Sequence, residues 1–113
     1  MDDDDQRRLL ARISALLARY GGAALAGAPA ETAAYRWLSH GFADVEDVED
    51  WLAARCFDPE SARDMADLGV TPEQASKRTR DGAGESYIDT IAYKVSMKQL
   101  SARQGAARAA SSR

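Results

Sequence analysis

The sequence predicts an all-α fold, organised as a compact orthogonal bundle of about six or seven short helices. The chain has 113 residues, of which 45% are hydrophobic, and this length suits one small domain and leaves little room for a second. Apolar residues recur at the three-to-four spacing of a helix face along most of the chain. Asp58-Pro59 and Thr71-Pro72 add two helix-start signals.

The first helix is predicted to follow the acidic start of the chain, because the carboxylates of residues 2–5 suit the positive end of a helix dipole. A helical apolar stripe follows, made of Leu9, Ile13, Leu16, Leu17 and Tyr20. The glycine pair at 21–22 ends this helix, and residues 23–29 are predicted to form a loop. Residues 1–5 are expected to fray.

A second helix is predicted over residues 30–39, with Trp37 and Leu38 on its apolar side. Gly41 is the expected C-cap, because glycine readily adopts the left-handed conformation that ends many helices. His40 stands beside this cap, and we expect its imidazole to interact with the helix C-terminus rather than to bind a metal.

A third helix carries the densest run of acidic residues in the chain. Asp44 is predicted to cap it, and Val48, Trp51 and Leu52 line its buried face. Arg55, near its end, is expected to balance the helix dipole. Five carboxylates fall largely outside the buried face: Asp44, Glu46, Asp47, Glu49 and Asp50.

Two further helices start at Asp58 and Thr71. Asp58 at the N-cap, with a proline directly after it, opens one helix, and Gly69 closes it. Thr71 and Gln74 form a capping box that opens the next helix, which has Ala75 on its inner side.

The C-terminal third begins with a predicted break at residues 81–84. Ser86 is the expected cap of a helix through Val95, in which Asp89 and Lys94 fall off the apolar face. Because this segment is also rich in strand formers, helix and strand both stay open for residues 87–95.

A last helix is predicted over residues 101–110, where Ser101 and Gln104 repeat the capping pattern. Its Ala, Arg and Gln content favours a helix, but it offers little beyond Leu100 for packing. Residues 109–113 are expected to fray.

The predicted core consists of apolar side chains on the inner faces of these helices. Its members are Leu9, Ile13, Leu16, Leu17, Trp37, Leu38, Val48, Trp51, Leu52, Phe57, Met65, Leu68, Ile88, Ile91 and Val95.

Composition narrows the class of protein. With no run of about 18 apolar residues and no apolar segment after its acidic start, the chain is predicted to have neither a membrane span nor a signal peptide. A single cysteine cannot form an internal disulfide, which fits a reducing, cytoplasmic setting.

The formal net charge of −3 is unevenly spread. Residues 1–72 carry 14 acidic and 7 basic side chains, whereas residues 73–113 carry 4 and 8. This asymmetry indicates a polar partner contact, charge complementarity inside the fold, or a solvated surface.

Residues that carry enzyme chemistry are sparse. One histidine and one cysteine cannot build a Cys/His zinc site, and Gly82-Ala83-Gly84 lacks the features of a phosphate loop. Cys56 is expected to be a small buried hydrophobe rather than a nucleophile paired with His40. The sequence therefore predicts a non-enzyme without metal or cofactor.

Residues 60–80 resemble the helix-turn-helix pattern of bacterial repressors. Gly69-Val70-Thr71 takes the position of the turn, and Ala75-Ser76-Lys77-Arg78 follows it. The resemblance implies a supporting helix over residues 60–68 and a reading helix over residues 72–80. The side chains it implies for nucleic-acid contact are Glu73, Gln74, Ser76, Lys77, Arg78 and Arg80.

The favoured prediction is a non-catalytic cytosolic protein that binds a macromolecular partner as an interaction module, inhibitor or regulator. The carboxylates of residues 44–50 would form a contact patch for a basic protein surface, because clustered carboxylates on a rigid helix steer basic partners. In composition the chain resembles small acidic helical proteins of phages and mobile elements, including anti-CRISPR and anti-restriction inhibitors. A DNA-binding regulator is the alternative, and a homodimer stays open.

Overall fold

Helices form most of the structure. The computed structural model describes residues 3–25, 27–80 and 88–111. The helical segments are α1 (Asp3–Tyr20), α2 (Gly22–Leu25), α3 (Ala30–Ser39), α4 (Val45–Ala53), α5 (Pro59–Asp67), α6 (Pro72–Ala75), α7 (Ile91–Ser96) and α8 (Ala102–Ser111). Two short strands, β1 (Arg78–Thr79) and β2 (Asp89–Thr90), pair antiparallel. The all-α prediction is confirmed for the described chain, in which α2 and α6 are single turns.

Both ends of the described chain are helical. Asp3–Asp5 already belong to α1, and α8 continues to Ser111. The other residues that carried predictions about fraying, a chain break or a cap lie outside the described residues: Met1, Asp2, the break at 81–84, Ser86, Tyr87, Ser112 and Arg113.

Carboxylates cap α4 and α5 as the sequence predicts. Asp44 accepts a hydrogen bond from the backbone N–H of Glu46 at 3.0 Å, and Asp58 accepts one from that of Ser61 at 3.3 Å. Both acids have the extended backbone conformation of an N-cap. These side chains satisfy N–H groups that find no partner inside their own helix.

Capping boxes open α6 and α8. The Thr71 hydroxyl accepts from the backbone N–H of Gln74 at 3.2 Å, while the Gln74 side chain accepts from the backbone N–H of Thr71 at 3.1 Å. Ser101 and Gln104 make the same exchange at 3.1 and 2.8 Å. Both predicted starts are therefore confirmed, each with two terminal donors satisfied reciprocally.

Helices α3, α4, α5 and α7 are each followed by a residue in the left-handed backbone region. The residues are Gly41, Arg55, Gly69 and Lys98, with φ of 88°, 69°, 84° and 63°. At each end two successive backbone N–H groups bond to carbonyls of the last turn, the arrangement called a Schellman motif. The predicted roles of Gly41 and Gly69 are confirmed, whereas Arg55 and Lys98 occupy a position that favours glycine.

The core lies between the α1–α3 pair and the remaining helices. α1 packs most extensively against α3, and α8 packs against α5, α6 and α7. Trp37 and Phe42 meet edge to face, with ring centroids 5.0 Å apart. The predicted core residues that are buried or half-buried are Leu9, Ile13, Leu16, Leu17, Trp37, Leu38, Val48, Trp51, Leu52, Phe57, Met65, Ile91 and Val95.

Two predicted core residues are exposed. Leu68 is 46% exposed and Ile88 is 43% exposed. Leu68 is the C-cap of α5, and Ile88 precedes β2 instead of lying within a helix. Both predictions were wrong because they extended a helical stripe beyond the bounds of the helix.

The reading helix that the helix-turn-helix resemblance implies over residues 72–80 is too long. α6 ends at Ala75, and Arg78–Thr79 already form β1. The carbonyl of Lys77 accepts from the backbone N–H of Ile91 at 2.8 Å. The capping box starts a helix here, but the helix ends after one turn because the backbone groups that follow form hydrogen bonds with the β2 segment instead.

For residues 87–95 the sequence left both helix and strand open, and the described part of this segment, residues 88–95, contains one of each. Asp89–Thr90 form the strand, and α7 starts at Ile91. Asp89 and Lys94, which were predicted to fall off the apolar face, are 5% and 0% exposed, so both placements were wrong.

An ion pair joins the end of α4 to β2. Arg55 Nε lies 2.9 Å from Asp89 Oδ1, and Arg55 Nη2 lies 3.1 Å from Asp89 Oδ2. The guanidinium carbon also lies 4.7 Å from the ring centre of Tyr93. This two-point contact lets the Asp89 carboxylate be buried, since an opposite charge and two donors replace part of its hydration.

Thr90 links α4 and α7 through a single hydroxyl. The hydroxyl accepts from the backbone N–H of Tyr93 at 3.0 Å and donates to the carbonyl of Ala54 at 2.7 Å. Tyr93 lies in the first turn of α7, and Ala54 is the C-cap of α4. One side chain thus satisfies an orphan donor at one helix end and an acceptor at another.

α8 packs through small side chains. Gly105 and Ala109 are buried. A Cβ atom at Gly105 would lie 2.6 Å from Val95 Cγ2 and 3.2 Å from Ile91 Cγ2. The prediction that α8 offers little for packing was wrong, because a close backbone approach buries a helix without large side chains.

Candidate functional site

The five predicted carboxylates of α4 lie at the surface of the molecule. We call this set the acidic surface: Asp44, Glu46, Asp47, Glu49 and Asp50, all of which are exposed. On the opposite side of the helix Val48, Trp51 and Leu52 are buried in the core. The helix that carries the charges is therefore held by its inner face and capped at its start.

The carboxylates of the acidic surface form no ion pairs within the described chain. Over residues 3–25, 27–80 and 88–111, the ion pairs are Arg55–Asp89, Arg63–Asp67 and Lys98–Asp58. The carboxylates of α4 take part in none of them. Their charge therefore acts mainly on the solvent and on approaching molecules.

A shallow groove extends the acidic surface onto a second helix. Asp50 and Ala53 of α4 line it together with Pro72 and Glu73 of α6. Two carboxylates from different helices thus line one cleft together with apolar side chains. A lysine or arginine side chain fits such a place chemically, because it combines an aliphatic stem with a charged tip.

The segment predicted to contact nucleic acid does not present a reading helix. Gln74 uses its side chain in the capping box of α6, and the Ser76 hydroxyl donates to the carbonyl of Glu73 at 2.6 Å. Lys77 is half-buried, whereas Arg78 and Arg80 are exposed. Residues 72–80 therefore combine one helical turn with a strand, and the second helix implied by the helix-turn-helix resemblance was wrong.

A polar cluster that the sequence did not predict lies where α5 begins. The Ser61 hydroxyl donates to Asp58 Oδ2 at 2.7 Å, and Lys98 Nζ donates to the same oxygen at 3.3 Å. Burial acts to raise the pKa of Asp58, but the hydrogen bonds from Ser61 and Lys98 outweigh it and lower the pKa below its ordinary value of 3.8. Lys98 lies 40 residues from Asp58, so no local spacing in the sequence signals the cluster.

This cluster links the start of α5 to the turn after α7 through hydrogen bonds. Its serine resembles a nucleophile beside a lysine, but Ser61 is only 2% exposed. The adjoining cavity of about 310 Å³ is lined by Asp58 and Lys98 together with the rings of Trp37 and Phe57. A hydroxyl buried in this way is out of reach of a substrate, since a nucleophile must meet the reacting atom directly.

Cys56 and His40 have structural surroundings. Cys56 is fully buried, as predicted, and burial raises the pKa of its thiol to about 12. His40 Nδ1 lies 2.7 Å from the carbonyl oxygen of Arg36, which confirms the predicted interaction with the end of α3.

Within residues 3–25, 27–80 and 88–111, no group of three or more His, Cys, Asp or Glu side chains is arranged to hold a metal ion. No helix in that part of the chain has the length and apolar character needed to cross a membrane. Comparison with protein-family models, curated proteins and solved structures finds no match.

Proposed function

We propose that this protein is a non-catalytic binding module that associates with a basic surface of another protein through the acidic surface of α4. The observation that carries the proposal is the exposure of all five carboxylates on a helix anchored in the core. A rigid array of like charges attracts an oppositely charged partner and orients its approach.

The groove between α4 and α6 supplies a specific contact within this surface. A basic side chain of the partner would place its charged tip between Asp50 and Glu73 and its aliphatic stem against Ala53 and Pro72. Charge-assisted hydrogen bonds of this kind add geometric specificity to long-range attraction.

The buried state of the two nucleophile candidates also supports a binding role. Ser61 and Cys56 are closed off from solvent, and the raised pKa of Cys56 keeps its thiol protonated at neutral pH. Neither side chain is presented to a substrate.

The test is quantitative affinity capture from cells of the source organism with an acidic-surface variant, Asp44→Asn/Asp47→Asn/Asp50→Asn. Asparagine at position 44 retains the N-cap, so the variant removes charge while the start of α4 is kept. We expect at least one protein captured by the parent to fall about fivefold or more with the variant, and to elute as salt is raised.

A matched control makes the same charge change elsewhere. Asp4, Asp5 and Asp64 are exposed carboxylates outside α4, and the triple asparagine variant at these positions also loses three negative charges. It should capture the same proteins as the parent. If both variants, or neither, change the captured set, the acidic surface is not the binding site.

Duplex DNA is the competing partner and is tested directly. Titration of DNA at low ionic strength should give no salt-dependent binding, because Arg78 and Arg80 are not carried on a helix that could enter a groove. Salt-dependent binding that is lost in Arg78→Ala/Arg80→Ala would replace the proposal by a nucleic-acid function.

A further inference from the structure

A cavity of about 310 Å³ lies where four segments of the chain meet. Its lining comes from α2, α3, the start of α5 and the turn after α7, and it includes Leu25, Arg36, Phe57, Glu60 and Met97. The volume is at the lower end of the range for small-ligand pockets in proteins. No carboxylate of the acidic surface lines this cavity, so it is separate from the proposed protein contact.

The cavity offers apolar groups that a ligand can reach. Leu25 and Phe57 are half-buried, and Met97 is 49% exposed. The Phe57 ring is held by Tyr93 of α7, which it meets edge to face with ring centroids 6.4 Å apart. Trp37 also lines the cavity and is almost fully buried, so the apolar lining is continuous with the core. A ligand with an apolar side chain gains free energy by burying it against these groups.

Four charged side chains line the same cavity and are of two kinds. Lys98 and Asp58 satisfy each other through an ion pair of 3.3 Å, and the Ser61 hydroxyl donates to the same carboxylate. Arg36 and Glu60 are exposed, and neither takes part in an ion pair within the described part of the chain. The cavity therefore presents one cation and one carboxylate to a ligand.

This set of groups fits a zwitterion with an apolar side chain. A ligand with only negative charge would bring a like charge to Glu60, and a ligand with only positive charge would do the same to Arg36. A free α-amino acid carries one charge of each sign and an apolar group within one small molecule. A guanidinium donates two hydrogen bonds to a carboxylate, and a carboxylate accepts from an ammonium group.

We infer that this cavity binds a free α-amino acid with an apolar side chain. Arg36 binds its carboxylate, Glu60 binds its ammonium group, and its side chain packs against Leu25, Phe57 and Met97. Because such a ligand contacts the folded chain and not the unfolded one, its binding stabilises the fold. The inference does not depend on the acidic surface of α4, and either one can fail while the other holds.

An NMR titration of the isotope-labelled chain with L-leucine, L-methionine and L-phenylalanine tests the inference. At least one of them should bind with a dissociation constant of about 1 mM or below and shift the amide signals of Leu25 and Met97. The N-acetyl form and the amide of that amino acid lack the ammonium and the carboxylate charge, respectively, and each should bind about tenfold or more weakly. Glycine, which lacks the apolar side chain, should also bind about tenfold or more weakly. Dissociation constants above about 1 mM for all three amino acids overturn the inference.

Two variants assign the charges of the ligand to their partners. Arg36→Gln should weaken binding about tenfold and abolish the preference for the free amino acid over its amide, because the partner of the carboxylate is gone. Glu60→Gln should weaken binding by a similar factor and abolish the preference over the N-acetyl form.

Matched controls remove the same charges elsewhere. Arg12→Gln and Glu49→Gln lie at exposed positions outside the cavity and should leave the affinity unchanged. Circular dichroism should show parental helix content in all four variants, since each replaces an exposed side chain. Parental affinity in both Arg36→Gln and Glu60→Gln, or equal losses in the control variants, would overturn the inference. An amide and an N-acetyl form that bind the parent as well as the free amino acid does would also overturn it.

Discussion

Arg55 and Lys98 stand at helix-ending positions where glycine is usual, and each makes an ion pair there. Arg55 contacts Asp89 through two nitrogens, and Lys98 contacts Asp58 through one. The left-handed backbone costs a residue with a side chain about 1 kcal/mol relative to glycine. A side chain at such a position is retained without loss of stability only if its contacts offset that cost.

The two positions differ in how well they meet this condition. Asp89 is buried and its side chain is 8% exposed, so removing Arg55 takes away a cation that contacts a desolvated carboxylate at two points. The Lys98 side chain is 68% exposed, and exposed ion pairs contribute little because water screens them.

We predict that glycine destabilises the protein at position 55 and has little effect at position 98. Arg55→Gly should lower the free energy of unfolding by about 1–2 kcal/mol after allowance for the half-exposed guanidinium, whereas Lys98→Gly should stay within about 0.5 kcal/mol of the parent. Urea denaturation measures both, and Arg63→Ala, which breaks an exposed pair, serves as the control. Equal losses at the two positions would contradict the role given to burial.

At the scale of the element, α8 depends on the absence of one side chain. Gly105 faces Val95 and Ile91 of α7 at a distance that leaves no room for a Cβ atom. Alanine would raise helix propensity by up to about 1 kcal/mol, but forcing a methyl group into this contact costs about 1–3 kcal/mol.

Gly105→Ala is therefore expected to destabilise the protein by about 1–2 kcal/mol despite its better helix propensity. The test of the cause is a double-mutant cycle with Val95→Ala, which removes the nearest methyl group. The two substitutions should be less harmful together than the sum of the single effects. Additive effects would mean that the contact with Val95 is not the source of the loss.

Helix starts were predictable from the sequence, and most departures have a tertiary cause. Asp44, Asp58, Thr71 and Ser101 cap their helices because a side chain and a backbone N–H two or three residues apart decide the outcome. The early end of α6 arises from pairing with a strand ten residues or more away, and such pairing leaves no local pattern.

The candidate site also has one part that local sequence predicts and another that depends on tertiary contacts. The exposure of the α4 carboxylates follows from helical periodicity, so it could be read from the sequence. The groove with Glu73 and the clamp of Lys98 on Asp58 bring distant segments together, and neither spacing nor composition encodes them locally.

At the scale of the whole molecule, burial of Cys56 links stability to alkaline pH. The thiol pKa is raised from 9.0 to about 12 in the folded chain. Between these values the unfolded chain has released the proton that the folded chain keeps, so the free energy of unfolding falls as pH rises. Stability from this group is complete below about pH 9 and is lost progressively towards pH 12.

We predict a decline of up to about 1.4 kcal/mol per pH unit from this thiol above pH 9. Cys56→Ala should lose part of the core packing at neutral pH but show a shallower decline, so the difference between parent and variant isolates the thiol from tyrosine and lysine titration. Parallel pH profiles for the two proteins would refute this assignment. A thiol reagent should label the parent at the rate at which the domain opens.

The hydroxyl of Thr90 joins two helix ends that such an opening would separate. The hydroxyl donates to the Ala54 carbonyl at the end of α4 and accepts from the Tyr93 N–H in the first turn of α7. Fraying of either helix end therefore removes a hydrogen bond that holds the other. Two helices that are separate in the sequence are thus made into one cooperative unit at this point. The Arg55–Asp89 ion pair joins the same two segments beside this hydroxyl, so the middle and the C-terminal part of the molecule are expected to loosen together at this place.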